Sequence, residues 1–228
     1  MTTLRPIARG PPLHKTKGMT IFKGLAKCMA ETWQREWPPD TQTSQSLVYE
    51  LGFMRIDDPA PVLKKHLPGK RLVDLGAGSS VSYLAMAHFA ASVGVSEYVA
   101  VDRYQDYSRA VSAMENFIRS AYPDIKLSAE SEDMLFYLAQ QPNCSANISI
   151  NGVDNIMLRH RDISLERFYV QNLVAQIARV VPANGLVFGI NSPLMGRLTE
   201  FGFEQVVSDL VTMDYELTKH NGIYQKKL

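Results

Sequence analysis

The sequence predicts an α/β fold: a doubly wound, mostly parallel seven-stranded sheet with a C-terminal antiparallel hairpin and an N-terminal helical cap. Three observations lead to this prediction. From Arg71 onward, short apolar runs alternate with amphipathic stretches, as in βαβ units. Before Arg71, prolines divide the chain into short helical patterns. Near the C-terminus, Asn221-Gly222 lies between alternating segments, which indicates a type I′ hairpin and an antiparallel end to the sheet.

The first 70 residues predict an arm followed by a helical cap. Residues 1–18 mix prolines and glycines with basic residues, so we expect a flexible arm there. Residues 19–37 carry apolar residues three and four apart, typical of one helix face, and two prolines end the pattern. Shorter helical patterns follow at 47–53 and 61–66. We therefore expect a cap or lead-in over residues 19–70 and one main domain over residues 71–228.

Five strand candidates in the main domain share a short apolar run bounded by turn residues. They are Arg71–Leu75, Glu97–Val101, Ile125–Ala129, Ala146–Ile150 and Leu186–Ile190. The clearest helix between them is predicted over Ser164–Val180, where apolar residues keep close to a 3.6-residue period. Pro182 and Gly185 end that helix.

The amino-acid composition excludes several classes of protein. The 228 residues are 46% hydrophobic and 21% charged, which excludes a disordered chain and supplies a large core. With 24 Lys and Arg against 23 Asp and Glu, the chain has no general electrostatic attraction for nucleic acid or anionic membranes. Cys28 and Cys144 lie far apart and show no zinc-site spacing. Without a signal-like or membrane-spanning apolar run, we expect a cytoplasmic protein.

An acidic, glycine-containing turn follows the first predicted strand and opens a predicted helix. It reads Asp74-Leu75-Gly76-Ala77-Gly78-Ser79-Ser80. Glycines let backbone N–H groups approach a ligand closely, and a helix N-terminus favours an anionic group; the alternative is a tight turn without a ligand. Asp102 directly follows the next strand, where it can accept both hydroxyl protons of a ribose. Its alternative role is a helix cap.

The turn does not fit a dinucleotide. The G-x-G-x-x-G motif needs a third glycine for close packing beside a pyrophosphate, and Val81 occupies that position. The carboxylate of Asp74 would repel a diphosphate, but it suits a ligand that carries an ammonium group. The pattern therefore favours a zwitterionic ligand over NAD or FAD.

On these residues, the chain from Arg71 to Leu228 resembles the class I S-adenosylmethionine-dependent methyltransferases. Ser80 stands where the family has its third turn glycine. The resemblance implies that Asp102 binds the ribose, Asn151 faces the methionine end, and Asp133 accepts from the adenine amine with Met134 against the ring; Glu132 is the alternative to Asp133. The cofactor-binding residues it implies are Asp74, Gly76, Ala77, Gly78, Ser80, Asp102, Arg103, Asp133, Met134 and Asn151.

The resemblance also implies a reaction class. A substrate O, N, S or C atom would attack the sulfonium methyl of S-adenosylmethionine in line, so positioning matters more than a general base. Tyr104, Asp154 and His160 are the candidates for a base, but each fits a structural role better, and no catalytic residue is assigned. We expect a small-molecule acceptor, with no metal, membrane or nucleic-acid partner. The alternative is a methyltransferase-like binding or scaffold protein without turnover.

Overall fold

A computed structural model describes residues 59–77, 80–102, 116, 118–151, 163–189, 194–208 and 222–228. The predicted arm and the first two predicted helices of the cap lie outside these residues. The third is present as helix α1, Pro61–His66, which begins with its proline at the first helical position, where no N–H is needed.

The remaining elements follow in the order expected of βαβ units. They are β1 (Arg71–Leu75), α2 (Ser80–Ser92), β2 (Glu97–Asp102), β3 (Lys126–Ser131), α3 (Met134–Ala139), β4 (Asn147–Ile150), α4 (Ile163–Val180), β5 (Leu186–Gly189), a 3₁₀ helix (Met195–Phe201), β6 (Phe203–Ser208) and β7 (Gly222–Lys226). None of the helices among the described residues is both long and apolar enough to span a membrane.

The strands form one seven-stranded sheet in the order β3-β2-β1-β4-β5-β7-β6. Strands β1 to β5 pair in parallel, whereas β7 runs antiparallel to both β5 and β6. This confirms the predicted fold class. Strand order reverses between β1 and β4, and in doubly wound sheets ligands bind outside the carboxyl ends at such a switch point.

Two apolar cores cover the two faces of the sheet, because side chains alternate along each strand. On the first face, which we call the α2 face, Tyr98 and Phe188 pack with α2; the rings of Phe89 and Phe188 meet edge to face at 6.2 Å. On the second, the α4 face, Val73 and Ile148 pack with α3 and α4. Both faces are covered, as a parallel sheet requires.

The predicted strand positions are confirmed, with shifts of one or two residues at some ends. β1 has the predicted bounds, and β2 extends one residue further, to include Asp102. β3 begins at Lys126 and continues to Ser131. The helix predicted over Ser164–Val180 is confirmed as α4, which begins at Ile163, one residue earlier than expected. Ile190 lies outside the described residues.

The antiparallel end of the sheet is confirmed, but its predicted turn is wrong. Gly222 does not form a two-residue turn with Asn221; it is the first residue of β7 and pairs with Ser208 of β6 and Gly189 of β5. Its φ of 158° is extended, not the left-handed conformation that a type I′ turn needs. Residues 209–221, which include Asn221, lie outside the described residues.

The close approach of β5 to β4 yields a test of the fold. A Cβ on Gly189 would lie 1.8 Å from the carbonyl oxygen of Ile150. We expect Gly189→Ala to lower the free energy of unfolding by at least about 2 kcal/mol, because strand backbones must separate. Gly196→Ala is the matched control, since its Cβ would meet nothing within 4 Å. Urea denaturation measures both; equal midpoints for the two variants would contradict the close packing.

Candidate functional site

Polar side chains gather at the carboxyl ends of β1, β2 and β4, on the α2 face. Asp74 lies near the end of β1, Asp102 ends β2, and Asn151 directly follows β4. Register puts them at one edge: Asp74 pairs with Ala100, two residues before Asp102. Side chains alternate along each strand, and the neighbouring Leu75 and Val101 lie on the α4 face. The polar side chains therefore lie on the α2 face. The structure thus brings three predicted site residues to the switch point.

The glycine turn is held by backbone hydrogen bonds to β2. Gly76 has a φ of 70°, in the left-handed region that favours glycine. The N–H groups of Gly76 and Ala77 both donate to the Val101 carbonyl oxygen, at 2.9 and 3.2 Å. These two amides are therefore engaged within the protein, so Gly76 and Ala77 shape the turn. Gly78 lies outside the described residues, and Ser80 begins α2.

Asp74 is a buried carboxyl group clamped by hydroxyl groups from both neighbouring strands. Its side chain is 1% exposed. The Tyr98 hydroxyl of β2 donates to Asp74 Oδ2 at 2.8 Å, and the Ser149 hydroxyl of β4 donates to Oδ1. Ser149 is the direct register partner of Asp74. Each carboxyl oxygen thus accepts one hydroxyl hydrogen bond: Oδ2 from β2 and Oδ1 from β4.

The surroundings of Asp74 make its negative charge costly. Burial raises the pKa of Asp74 from its ordinary value of 3.8 to about 6, against the lowering effect of hydrogen bonds from Ser149, Tyr98 and Asn151; the Asp102 charge raises it further. Among the described residues, no lysine or arginine forms an ion pair with Asp74. At neutral pH the group is thus a mostly ionised, buried carboxylate without a cation from this part of the chain.

Asp102 and Asn151 stand on either side of Asp74. Asp102 is 6% exposed, and its carbonyl oxygen accepts the N–H of Glu132 at 3.2 Å, which ties the ends of β2 and β3 together. The Nδ2 of Asn151 donates to the Sδ of Met86 in α2 at 3.6 Å, while its Oδ1 is buried without a donor in the described part of the chain. A buried acceptor without a donor costs free energy unless a ligand supplies one.

The predicted adenine residues have structural partners. Asp133 is the N-cap of α3: its Oδ1 accepts the N–H of Leu135 at 2.9 Å, and both oxygens lie 3.0 Å from the Tyr169 hydroxyl. Met134 packs partly buried against the α4-face core. Glu132, the alternative, accepts from Gln140 at 2.9 Å. These contacts fix the start of α3 beside the ends of β2 and β3, and the adenine contacts stay predictions.

Other sequence-predicted residues lie outside the described residues: Arg103 and the three candidate bases Tyr104, Asp154 and His160. No group of three metal-ligating side chains occurs within the described ranges. Tyr98 and Ser149 were not predicted as partners of Asp74: Tyr98 was predicted only as a strand residue, and Ser149 only as a strand residue at the start of the segment expected to face the methionine end. The available signal was alternation: both fall on the face of Asp74, and Ser149 is a polar residue inside a short buried strand.

Comparisons with known proteins give only distant likenesses. No protein-family model matches the chain, and no curated protein matches its sequence. Among solved structures, it resembles the N-methyltransferase NodS from Bradyrhizobium japonicum WM9, with 12% identity, a TM-score of 0.46, and coverage of 84% of this chain and 100% of that one. It also resembles an rRNA methylase from Streptococcus thermophilus, with 9% identity, a TM-score of 0.44, and coverage of 73% and 93%.

At such identities and TM-scores, these likenesses carry no conclusion about the function of this chain. The sequence resemblance of residues 71–228 to class I methyltransferases implies a particular fold. The mostly parallel seven-stranded sheet with a C-terminal antiparallel pair is the fold that this resemblance implies, and it is present here. The chain therefore has a Rossmann-like α/β fold.

Proposed function

We propose that the chain binds S-adenosylmethionine at the carboxyl ends of β1, β2 and β4 and transfers its methyl group to a small-molecule acceptor. The observation that carries the proposal is the Asp74 carboxyl, buried beside a left-handed glycine at the switch point and without a cationic partner among the described residues. A buried charge without a cationic partner makes the fold less stable. Such a charge is therefore typical of a functional site.

The polar groups at this edge fit the cofactor's chemistry. Asp74 and the donor-lacking Oδ1 of Asn151 are acceptors for an ammonium group. Asp102, at the end of the adjacent strand, offers a carboxylate to a vicinal diol such as that of ribose. S-adenosylmethionine has both groups and supplies an activated methyl. The protein's part is to orient this ligand and to exclude water from its methyl group.

The alternative is a protein that binds the cofactor without turnover. Asp74, Asp102 and Asn151 support binding, and no catalytic residue is assigned. A screen of radiolabelled methyl transfer to small-molecule acceptors separates the two functions. Transfer to any acceptor supports the enzyme, whereas binding without transfer across the screen supports the alternative.

The cost of the Asp74 charge predicts an unusual effect on stability. A pKa raised from 3.8 to about 6 makes the native state more stable below pH 3.8, and this contribution is lost as pH rises through 6. Asp74→Asn removes the charge and should raise the free energy of unfolding by about 3 kcal/mol above pH 7, since one pKa unit corresponds to about 1.4 kcal/mol. Urea denaturation at pH 7.5 and pH 4 measures this effect.

The gain from Asp74→Asn should shrink toward pH 4, where the wild-type carboxyl is protonated. The pH dependence is the internal control, because a packing change alone would act equally at both pH values. A variant that is less stable than the wild type at pH 7.5 would contradict the buried charge.

Cofactor binding is tested directly by calorimetry with S-adenosylhomocysteine, the demethylated product. We expect Asp102→Ala to weaken binding by about 2 kcal/mol, or roughly 30-fold, because charge-assisted hydrogen bonds to two hydroxyls are lost. Glu204→Ala is the control. The Glu204 carboxylate forms an ion pair with Lys227 at 3.2 Å, and it belongs to β6, an edge strand of the sheet that does not pair with β1, β2 or β4. Unchanged affinity in Asp102→Ala would overturn the placement, and no binding by the wild type would overturn the function.

A further inference from the structure

We propose that Tyr98 and Ser149 are positioning residues of this site: their hydroxyl groups hold the Asp74 carboxylate in one orientation and favour its charged form, so that the site takes up the ligand's ammonium group. This inference rests on the proposed function for the identity of the ligand. We call the two hydrogen bonds from Tyr98 and Ser149 to Asp74 the hydroxyl clamp. The clamp is a property of the free protein.

The clamp leaves part of the carboxylate available. An ionised carboxylate has about four acceptor positions; the two hydroxyl groups use one on each oxygen, and Asn151 also hydrogen-bonds to the carboxylate. Because Tyr98 and Ser149 approach from opposite sides, the carboxyl group cannot rotate without breaking a buried hydrogen bond. Asn151, which hydrogen-bonds to Asp74, has a second buried acceptor in its Oδ1. Two fixed acceptors suit a ligand group with several N–H donors.

The position of the clamp explains why these residues are not apolar. Tyr98 is fully buried, and its ring packs 5.8 Å from that of Tyr83 in α2. A phenylalanine would fill the same core space, so the hydroxyl group is what the site uses. Ser149 is also fully buried. Its neighbours along β4, Ile148 and Ile150, pack into the core of the α4 face. Both hydroxyl groups therefore have Asp74 as their partner in an otherwise apolar layer.

Few charges near Asp74 compete with the clamp. Asp102 on β2 is the negatively charged neighbour that raises the pKa of Asp74. In the described part of α2, which covers this face, His88 is the titratable imidazole: it lies 3.2 Å from the Tyr122 hydroxyl, and burial lowers its pKa to about 4. His88 is consequently neutral from pH 5 upward. In this pH range, ligand binding should follow the ionisation of Asp74.

The clamp is tested first without any ligand, by ¹³C NMR titration of the aspartate carboxyl groups in the full chain. The wild-type Asp74 should titrate near pH 6. Tyr98→Phe and Ser149→Ala should each move its midpoint upward by about one unit, because a hydrogen bond to the charged form is lost. Tyr224→Phe is the control, since this buried tyrosine belongs to the opposite core. An unmoved midpoint in both clamp variants overturns the proposal.

The coupling to binding is tested by the affinity for S-adenosylhomocysteine at pH 6 and pH 8.5. If only ionised Asp74 binds, a one-unit rise in its pKa weakens binding about fivefold at pH 6 and leaves it nearly unchanged at pH 8.5. The Tyr224→Phe control should match the wild type at both pH values. A loss that is equal at both pH values indicates a packing role only, and it overturns the coupling.

The two experiments separate this inference from the proposed function. If the wild type does not bind S-adenosylhomocysteine, the proposed function and the ammonium coupling both fail, whereas the NMR midpoints still decide whether the clamp exists. If binding occurs and the midpoints do not move, the proposed cofactor binding stands and the positioning role of Tyr98 and Ser149 is overturned. Ser149→Ala serves where Tyr98→Phe does not fold, because it removes a single oxygen from a small side chain.

Discussion

The carboxylate of Asp74 is the group to which the rest of the site is fitted. It lies in the middle of a parallel sheet, between strands whose other buried residues are almost all apolar. A charge in such a layer is tolerated only when buried donors surround it, and strands β2 and β4 each contribute one hydroxyl group. This requirement explains a tyrosine in place of phenylalanine at position 98 and a serine among isoleucines at position 149.

The glycine turn and the strand ends have different roles at this site. The amides of Gly76 and Ala77 are bonded to Val101, so they fix the direction in which the chain leaves β1 toward α2. The acceptors at this edge come instead from side chains: Asp74, Asp102 and Asn151. A site rich in acceptors selects a ligand rich in donors, such as an ammonium group or a pair of hydroxyls.

Much of the fold could be predicted from the sequence, because buried parallel strands are continuous apolar runs and β1 therefore had clear limits. Asp102 was predictable as the polar residue that follows such a run. Contacts between strands could not be predicted, because they depend on strand order and register. Ser149 contacts Asp74 only because β4 lies beside β1. Likewise Gly222 carried a local turn signal, but pairing with Ser208 gives it an extended backbone.

The role of Asp133 shows the same limit at the edge of the site. The family resemblance implied an adenine contact for Asp133, and the structure shows that this residue is the N-cap of α3 and accepts a hydrogen bond from Tyr169. A cap and an adenine contact require the same residue type at the same place, so sequence alone could not separate them. By contrast, the raised pKa of Asp74 arises from burial and three-dimensional neighbours that no local pattern contains.

The most direct measurement is the number of protons released when S-adenosylhomocysteine binds the wild-type protein, obtained by calorimetry at pH 6 in buffers of different ionisation enthalpy. With an Asp74 pKa of about 6, binding of a cationic group beside this carboxylate should release about half a proton. Asp74→Asn should release none. Binding of the wild type without proton release, or release that persists in Asp74→Asn, would contradict a ligand held by the buried carboxylate.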